Sequence, residues 1–184
     1  GSESISLLST NNDFTGTVQL SSTGVDAAIR DRNALATSSI VRRSNLGLAG
    51  DTGITAIAGT TLSLAQEAIV KTGAGKVDLR ALGGNFQTSD SIQTDSGDIS
   101  ITQASSDDAH GITVNHALTS NSGDISLSGD SIVHSNAGDL TTGGTGAISV
   151  SANKVSSGSV TMVGGTVYTA GSDGIDLNAQ NNIS

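Results

Sequence analysis

The residues best suited to chemistry are few. The stretch "SSDDAHG" carries Asp107, Asp108 and His110, two carboxylates and an imidazole within one short turn. Such groups can ligate divalent cations, Ca2+ among them. Asp107-Asp108, or Asp95 with Asp98 in "TDSGD", also supply the paired carboxylates that glycoside hydrolysis requires. "IRDR" and "VRR" contribute Arg30, Arg32, Arg42 and Arg43, a candidate ligand patch for anionic glycans. His116 and His134 stand alone.

Each group also has a plainer reading. Adjacent Asp residues in a Ser/Gly-rich stretch are turn formers. One Asp-Asp-x-His cluster lacks a partner cluster to complete a metal site. The arginines can form a solvated ionic patch with Asp26 and Asp31; alternation puts Arg30 and Arg32 on one face and Asp31 on the other. No Gly-x-Ser-x-Gly elbow, EF-hand loop or phosphate loop occurs, and "GGTGAIS" has Ala147 and Ser149 where a calcium repeat needs acids. The sequence therefore reads as no enzyme, with no catalytic residue, resident cofactor or built metal site.

The elements that must position these residues are short and alternating. "GKVDL" (75–79), "GDISI" (97–101), "GDISL" (123–127) and "GAISV" (146–150) share a frame of Gly, a polar or variable residue, then aliphatic and polar residues in turn. This is the pattern of a half-buried strand. Gly53, Gly75, Gly97, Gly123 and Gly146 are spaced by 22, 22, 26 and 23 residues. Such a period marks a coil in which each unit buries its face on its neighbours. One segment, "LAQEAIVK" (64–71), has the composition of a helix. The spacing predicts an all-β solenoid of about eight rungs of roughly 22 residues, about 40 Å long at ~4.8 Å per rung. In this scheme Ile99 stacks on Ile125, and Leu79 lies near Ile101.

Composition agrees. The chain has 24 Gly, 29 Ser and 21 Thr but no Pro, Cys or Trp, and only one Tyr and two Phe. The core must be narrow and aliphatic, held without disulfides. Residues 1–80 balance seven acids against seven bases, whereas residues 81–184 carry ten Asp and only Lys154. An acidic surface without a basic footprint excludes nucleic acid as a partner. No apolar run is long enough for a membrane span. Gly1-Ser2 reads as a cloning scar, and residues 3–184 as a single solenoid fragment of a larger protein. The Thr residues of "TTGGT" and "TVYT" read as scattered, not as a ladder.

Residues 12–35, "NDFTGTVQLSSTGVDAAIRDRNAL", are more specific. Asn12, Asp13, Phe14, Gly16 and Val18, followed by Asp31, Asn33, Ala34 and Leu35, resemble repeats in bacterial exoproteins of the filamentous haemagglutinin type, and "GDISLSGDSI" and "GAISVSA" extend the likeness. The resemblance implies a right-handed parallel β-helix in a large secreted or cell-surface adhesin. The expected role is structural and adhesive: a stiff shaft presenting loops, around residues 30–46 and 103–110, to a host-cell surface or glycan. The alternative is a polysaccharide-binding or polysaccharide-degrading β-helix. Exposed terminal rungs would also favour end-to-end self-association.

Overall fold

The computed structural model describes residues 4–22, 26–42, 53–72, 74–105, 109–153 and 158–184, with the backbone alone for 38–42 and 65–72. Strands β1 (Ile5–Leu7) and β2 (Val18–Ser22) begin a coil. Two turns follow, β3 (Asp26–Asp31) with β4 (Leu35–Arg42), and β5 (Gly53–Ala58) with β6 (Leu62–Thr72). The next turn is β7 (Val77–Ala81), β8 (Phe86–Gln87) and β9 (Ile92–Thr94). Then come β10 (Ile99–Gln103), β11 (Ile112–Val114) and β12 (Leu118–Ser120), and β13 (Ile125–Gly129), β14 (Ile132–His134) and β15 (Leu140–Thr142). β16 (Ile148–Ala152), β17 (Ser159–Met162) and β18 (Tyr168–Thr169) complete the sixth full turn, and β19 (Ile175–Ala179) and β20 (Asn182–Ile183) open another.

Every strand pairing among the described residues is parallel. The first sheet stacks β1-β3-β5-β7-β10-β13-β16-β19, and all other strands belong to the second sheet. The chain is thus a β-solenoid of about six complete turns with a partial turn at each end. The expected stack is present: Ile99 is in register with Val77 and Ile125, Leu79 with Ile101, and Ile125 with Ile148. Val77, Ile99, Ile125 and Ile148 are essentially sealed from solvent. Each buried aliphatic side chain of this size contributes about 1.5–3 kcal/mol.

The helix expected over 64–71 is not formed; the segment lies inside β6. Its Ala, Gln, Glu and Lys are good helix formers, but Leu62 and Leu64 bury completely between neighbouring turns. Pairing on both sides outweighs a propensity of a few tenths of a kcal/mol per residue. No Gly, Asn or Asp interrupts β6, and it continues as one strand, with a register shift against β4, across two positions that later turns divide. Its first part pairs with β8 and its last part with β9.

The repeated Gly-Asp has two separate reasons. A Cβ on Gly97 would lie 2.0 Å from the Gly75 carbonyl oxygen, one on Gly123 2.4 Å from that of Gly97, and one on Gly146 2.5 Å from that of Gly123. The corners stack so closely that backbone occupies the place of a side chain. The following Asp reaches the next turn: Asp98 Oδ1 accepts from the Asp124 amide at 3.0 Å, and Asp124 Oδ1 from the Ala147 amide at 2.8 Å. Just inside this corner, Thr94, Ser120 and Thr142 form a buried hydroxyl column. The Thr94 hydroxyl donates to the Gly97 carbonyl, and the Thr142 hydroxyl donates to that of Gly146 and accepts from the Gly171 amide. These bonds satisfy polar groups that would otherwise be costly inside the coil.

Candidate functional site

The structure places Arg30 and Arg42 on strands of different sheets. Arg30 is half-buried on the outward face of β3, in the first sheet. Arg32 lies just past that strand, exposed, and pairs with Asp13 at 2.5 Å. Arg42 ends β4 in the second sheet, and Arg43 lies outside the described residues. Arg30 instead shares an outward column with Arg80: Arg30 is in register with Ile57, Ile57 with Arg80 and Arg80 with Thr102. Two rungs at ~4.8 Å separate the two cations. Parity within "KVDLR" was the signal that could have added Arg80 to the patch.

The counter-ions differ from those expected. Arg32 takes Asp13, which also accepts from the Asn33 side chain at 3.0 Å. Arg80 takes Asp78, through Nε at 2.9 Å and Nη2 at 2.5 Å; this contact holds the guanidinium above its ordinary pKa. Asp31 faces inward as alternation required and is fully buried. Its carboxylate bonds to backbone instead of to arginine: Oδ2 accepts from the Phe14 amide and Oδ1 from the Asn33 amide, both at 2.8 Å. These bonds pin the first corner of the coil to the next. Motif residues Asn12, Asp13, Phe14, Asp31 and Asn33 are therefore joined in one hydrogen-bonded corner, with the Asn12 side chain donating to the carbonyls of Leu7 and Arg30.

On the same sheet, Ser100, Ser126 and Ser149 form one outward column and Thr102, Ser128 and Ser151 the next. The result is a hydroxyl lattice, bounded by Asp78–Arg80 on one side and by Asp176 and Asn178 on the other. The threonines also align better than the sequence suggested, with Thr119, Thr141 and Thr169 in register on the second sheet. Beside that column, a polar cleft of about 230 Å³ is lined by Gln93, Thr94, Asp95, Thr119 and Asn121. Asp95 lines this cleft, whereas Asp98 bonds to the next corner, so the "TDSGD" carboxylates have different tasks.

Asp107 and Asp108 lie outside the described residues. His110 lines a shallow cleft of about 250 Å³ with Asn85, Gly111, Thr113, Ser131 and Val133. Among the described residues, no cluster of three metal-ligating side chains occurs.

His134, isolated in the sequence, is inside the coil. It is fully buried, stacked in register between Val114 and Met162. Its Nδ1 lies 2.9 Å from the Gly138 carbonyl, so that nitrogen carries the proton. Nε2 is buried without a hydrogen bond, and the ring meets Tyr168 edge-on, 5.2 Å between centroids. Burial pushes the imidazole below its ordinary pKa, against opposing effects of the Gly138 carbonyl and Asp139. Burial likewise pushes the Tyr168 hydroxyl upward. The period-two pattern of "SIVHS", with Ile132 and His134 on one face, was enough to place it inside.

Compared with protein families, curated proteins and solved structures, the chain matches none.

Proposed function

We propose that this chain is a segment of the β-helical shaft of a large secreted or cell-surface adhesin, a stiff rod that presents side chains and loops to a host-cell surface or glycan. The observation that carries this reading is the in-register stacking of the first sheet's core columns through all six complete turns. Such a rod holds its shape without disulfides, and its function is mechanical and presentational, with no catalytic step. The likeness of residues 12–35 to filamentous haemagglutinin-type repeats supports the same reading. Arg30 and Arg32 are the described cations of the candidate contact surface.

A second reading, a polysaccharide-binding β-helix, is favoured by the hydroxyl lattice and by the polar cleft at Gln93, Asp95 and Asn121. Binding of the purified protein to a glycan array and to host cells, in calcium and in chelator, tests both. Selective binding lost in Arg30→Ala/Arg32→Ala supports contact through the amino-terminal turns. Binding lost instead in Gln93→Ala/Asn121→Ala supports the polysaccharide reading. Absence of binding in every condition leaves a spacer and removes the adhesive part of the proposal for this segment.

A further inference from the structure

The histidine inside the coil has one nitrogen with nothing to do. His134 is 0% exposed, and its Nδ1–H donates to the Gly138 carbonyl at 2.9 Å. Nε2 therefore carries a lone pair, buried and without a hydrogen bond. A polar atom buried in this state is costly. One ring nitrogen bonded to a backbone carbonyl while the other offers its lone pair is also the arrangement of a metal-ligating histidine, because that bond fixes the tautomer and the ring orientation.

The neighbour along the column is a second donor. His134 on β14 is the Cα partner of Met162 on β17, so the thioether and the imidazole share a face one rung, ~4.8 Å, apart. Metal bonds of about 2.0 Å to nitrogen and 2.3 Å to sulfur span most of that distance. Tyr168, in the same turn as Met162, packs edge-on against the imidazole, and its hydroxyl makes no bond to Nε2. Ca2+ takes oxygen ligands, and structural Zn2+ takes four donors. A neutral imidazole with a neutral thioether suits a soft ion of low coordination number instead. The surroundings favour a cation: residues 81–184 carry ten Asp and only Lys154, and the Asp139 charge is felt at the imidazole. Burial still holds the His134 pKa below its ordinary value, so no proton competes for Nε2 at neutral pH.

We propose that His134 Nε2 and Met162 Sδ form a two-coordinate site for Cu(I) inside the coil, joining its fifth and sixth complete turns. Each atom donates one lone pair; no proton is released and no electron is transferred. The site stands whether or not the chain is an adhesive shaft.

Ag(I), which has the same charge and donor preference and needs no reductant, is the probe. One equivalent, added to the isotope-labelled protein before or after refolding from urea, is expected to shift the His134 Nε2 resonance together with the methyl resonance of Met162, the only methionine of the chain, and to raise Tm. Cu(I) kept reduced with ascorbate should give the same shifts, and Zn2+ and Ca2+ should not. Met162→Leu nearly conserves volume but removes the sulfur, and is expected to bind Ag(I) at least ~10-fold more weakly with an unchanged circular dichroism spectrum. His134→Leu should abolish the rise in Tm. Shifts confined to His110 and His116, equally tight binding by Met162→Leu, or no response in either preparation would overturn the proposal. So would a His134 Nε2 resonance already displaced by hydrogen bonding in the metal-free protein and indifferent to Ag(I), which would assign the lone pair to a buried water.

Discussion

The two halves of the coil solve the same cross-section differently. Between β3 and β6, the first sheet mixes Ala27, Ala56 and Ala58 with Ile29 and Ile54, while the second contributes Leu35, Leu62 and Leu64 on long strands. From β7 onward the first sheet supplies Ile, Leu and Val, and the second is divided by a corner into limbs of two to four residues. The early half gains length of pairing, with register shifts within β2–β4 and β4–β6. The later half gains regularity, with Gly, Asp and hydroxyl columns repeating turn after turn. Register is thus fixed by broad sheets in one half and by stacked corners in the other.

The largest effect should come from the corners. Gly123→Val places a side chain in the Gly97 carbonyl and is expected to destabilise the later half by at least ~3 kcal/mol in urea denaturation. Gly16→Ala, with open space at its Cβ, should cost under ~1 kcal/mol. Equal losses at both sites would break the contrast between stacked corners and ordinary turns. Core columns come next. Ile125→Ala should cost about 2–5 kcal/mol, and Ala56→Ile, at a small residue set between Ile29 and Leu79 in its column, about 1–3 kcal/mol from overpacking. A stabilising Ala56→Ile would mean that the early half is underpacked, not balanced by its leucines.

Asp31→Ala should cost about 2 kcal/mol, because two backbone amides lose a buried carboxylate acceptor. The pH dependence should be smaller. The folded His134 pKa lies below its unfolded value of ~6.5, so the unfolded chain binds the extra proton first as pH falls. Stability from this group is complete above ~6.5 and declines below it, until the folded imidazole also protonates. His134→Leu should remove this acid-side decline in thermal melts recorded from neutral pH downward; an unchanged decline would assign it to carboxylates. The smallest effect should be at Arg32→Ala, where an exposed ion pair is lost at a cost of at most ~1 kcal/mol.

Much of the coil was legible because its information is local. Alternation in "GDISI" gives a strand and its buried face, and the glycine period gives the turn. β6 was misread because its composition suits a helix and its strand character comes from two neighbouring turns, which are distant in sequence. The arginine patch was only partly legible for a related reason. Proximity in sequence joined Arg30 to Arg42, but the chain turns a corner between them, whereas Arg80, 50 residues away from Arg30, arrives on the same column. The corner motif from Asn12 to Asn33 was visible as a pattern; its chemistry, carboxylates tied to backbone amides, required the geometry.

The pairing of each turn with the next has a consequence for how such a chain can be made. Ile99 finds its partners 22 residues before and 26 after it, and no strand of the first sheet waits for a distant segment. A chain fed out from one end can therefore fold as it emerges, each finished turn serving as a template for the segment behind it. The Asp98 and Asp124 carboxylates engage the following turn once it docks, and each new contact opposes the chain slipping back. Folding of this kind adds one turn at a time, so its pace is set by the supply of chain and not by a search for remote partners.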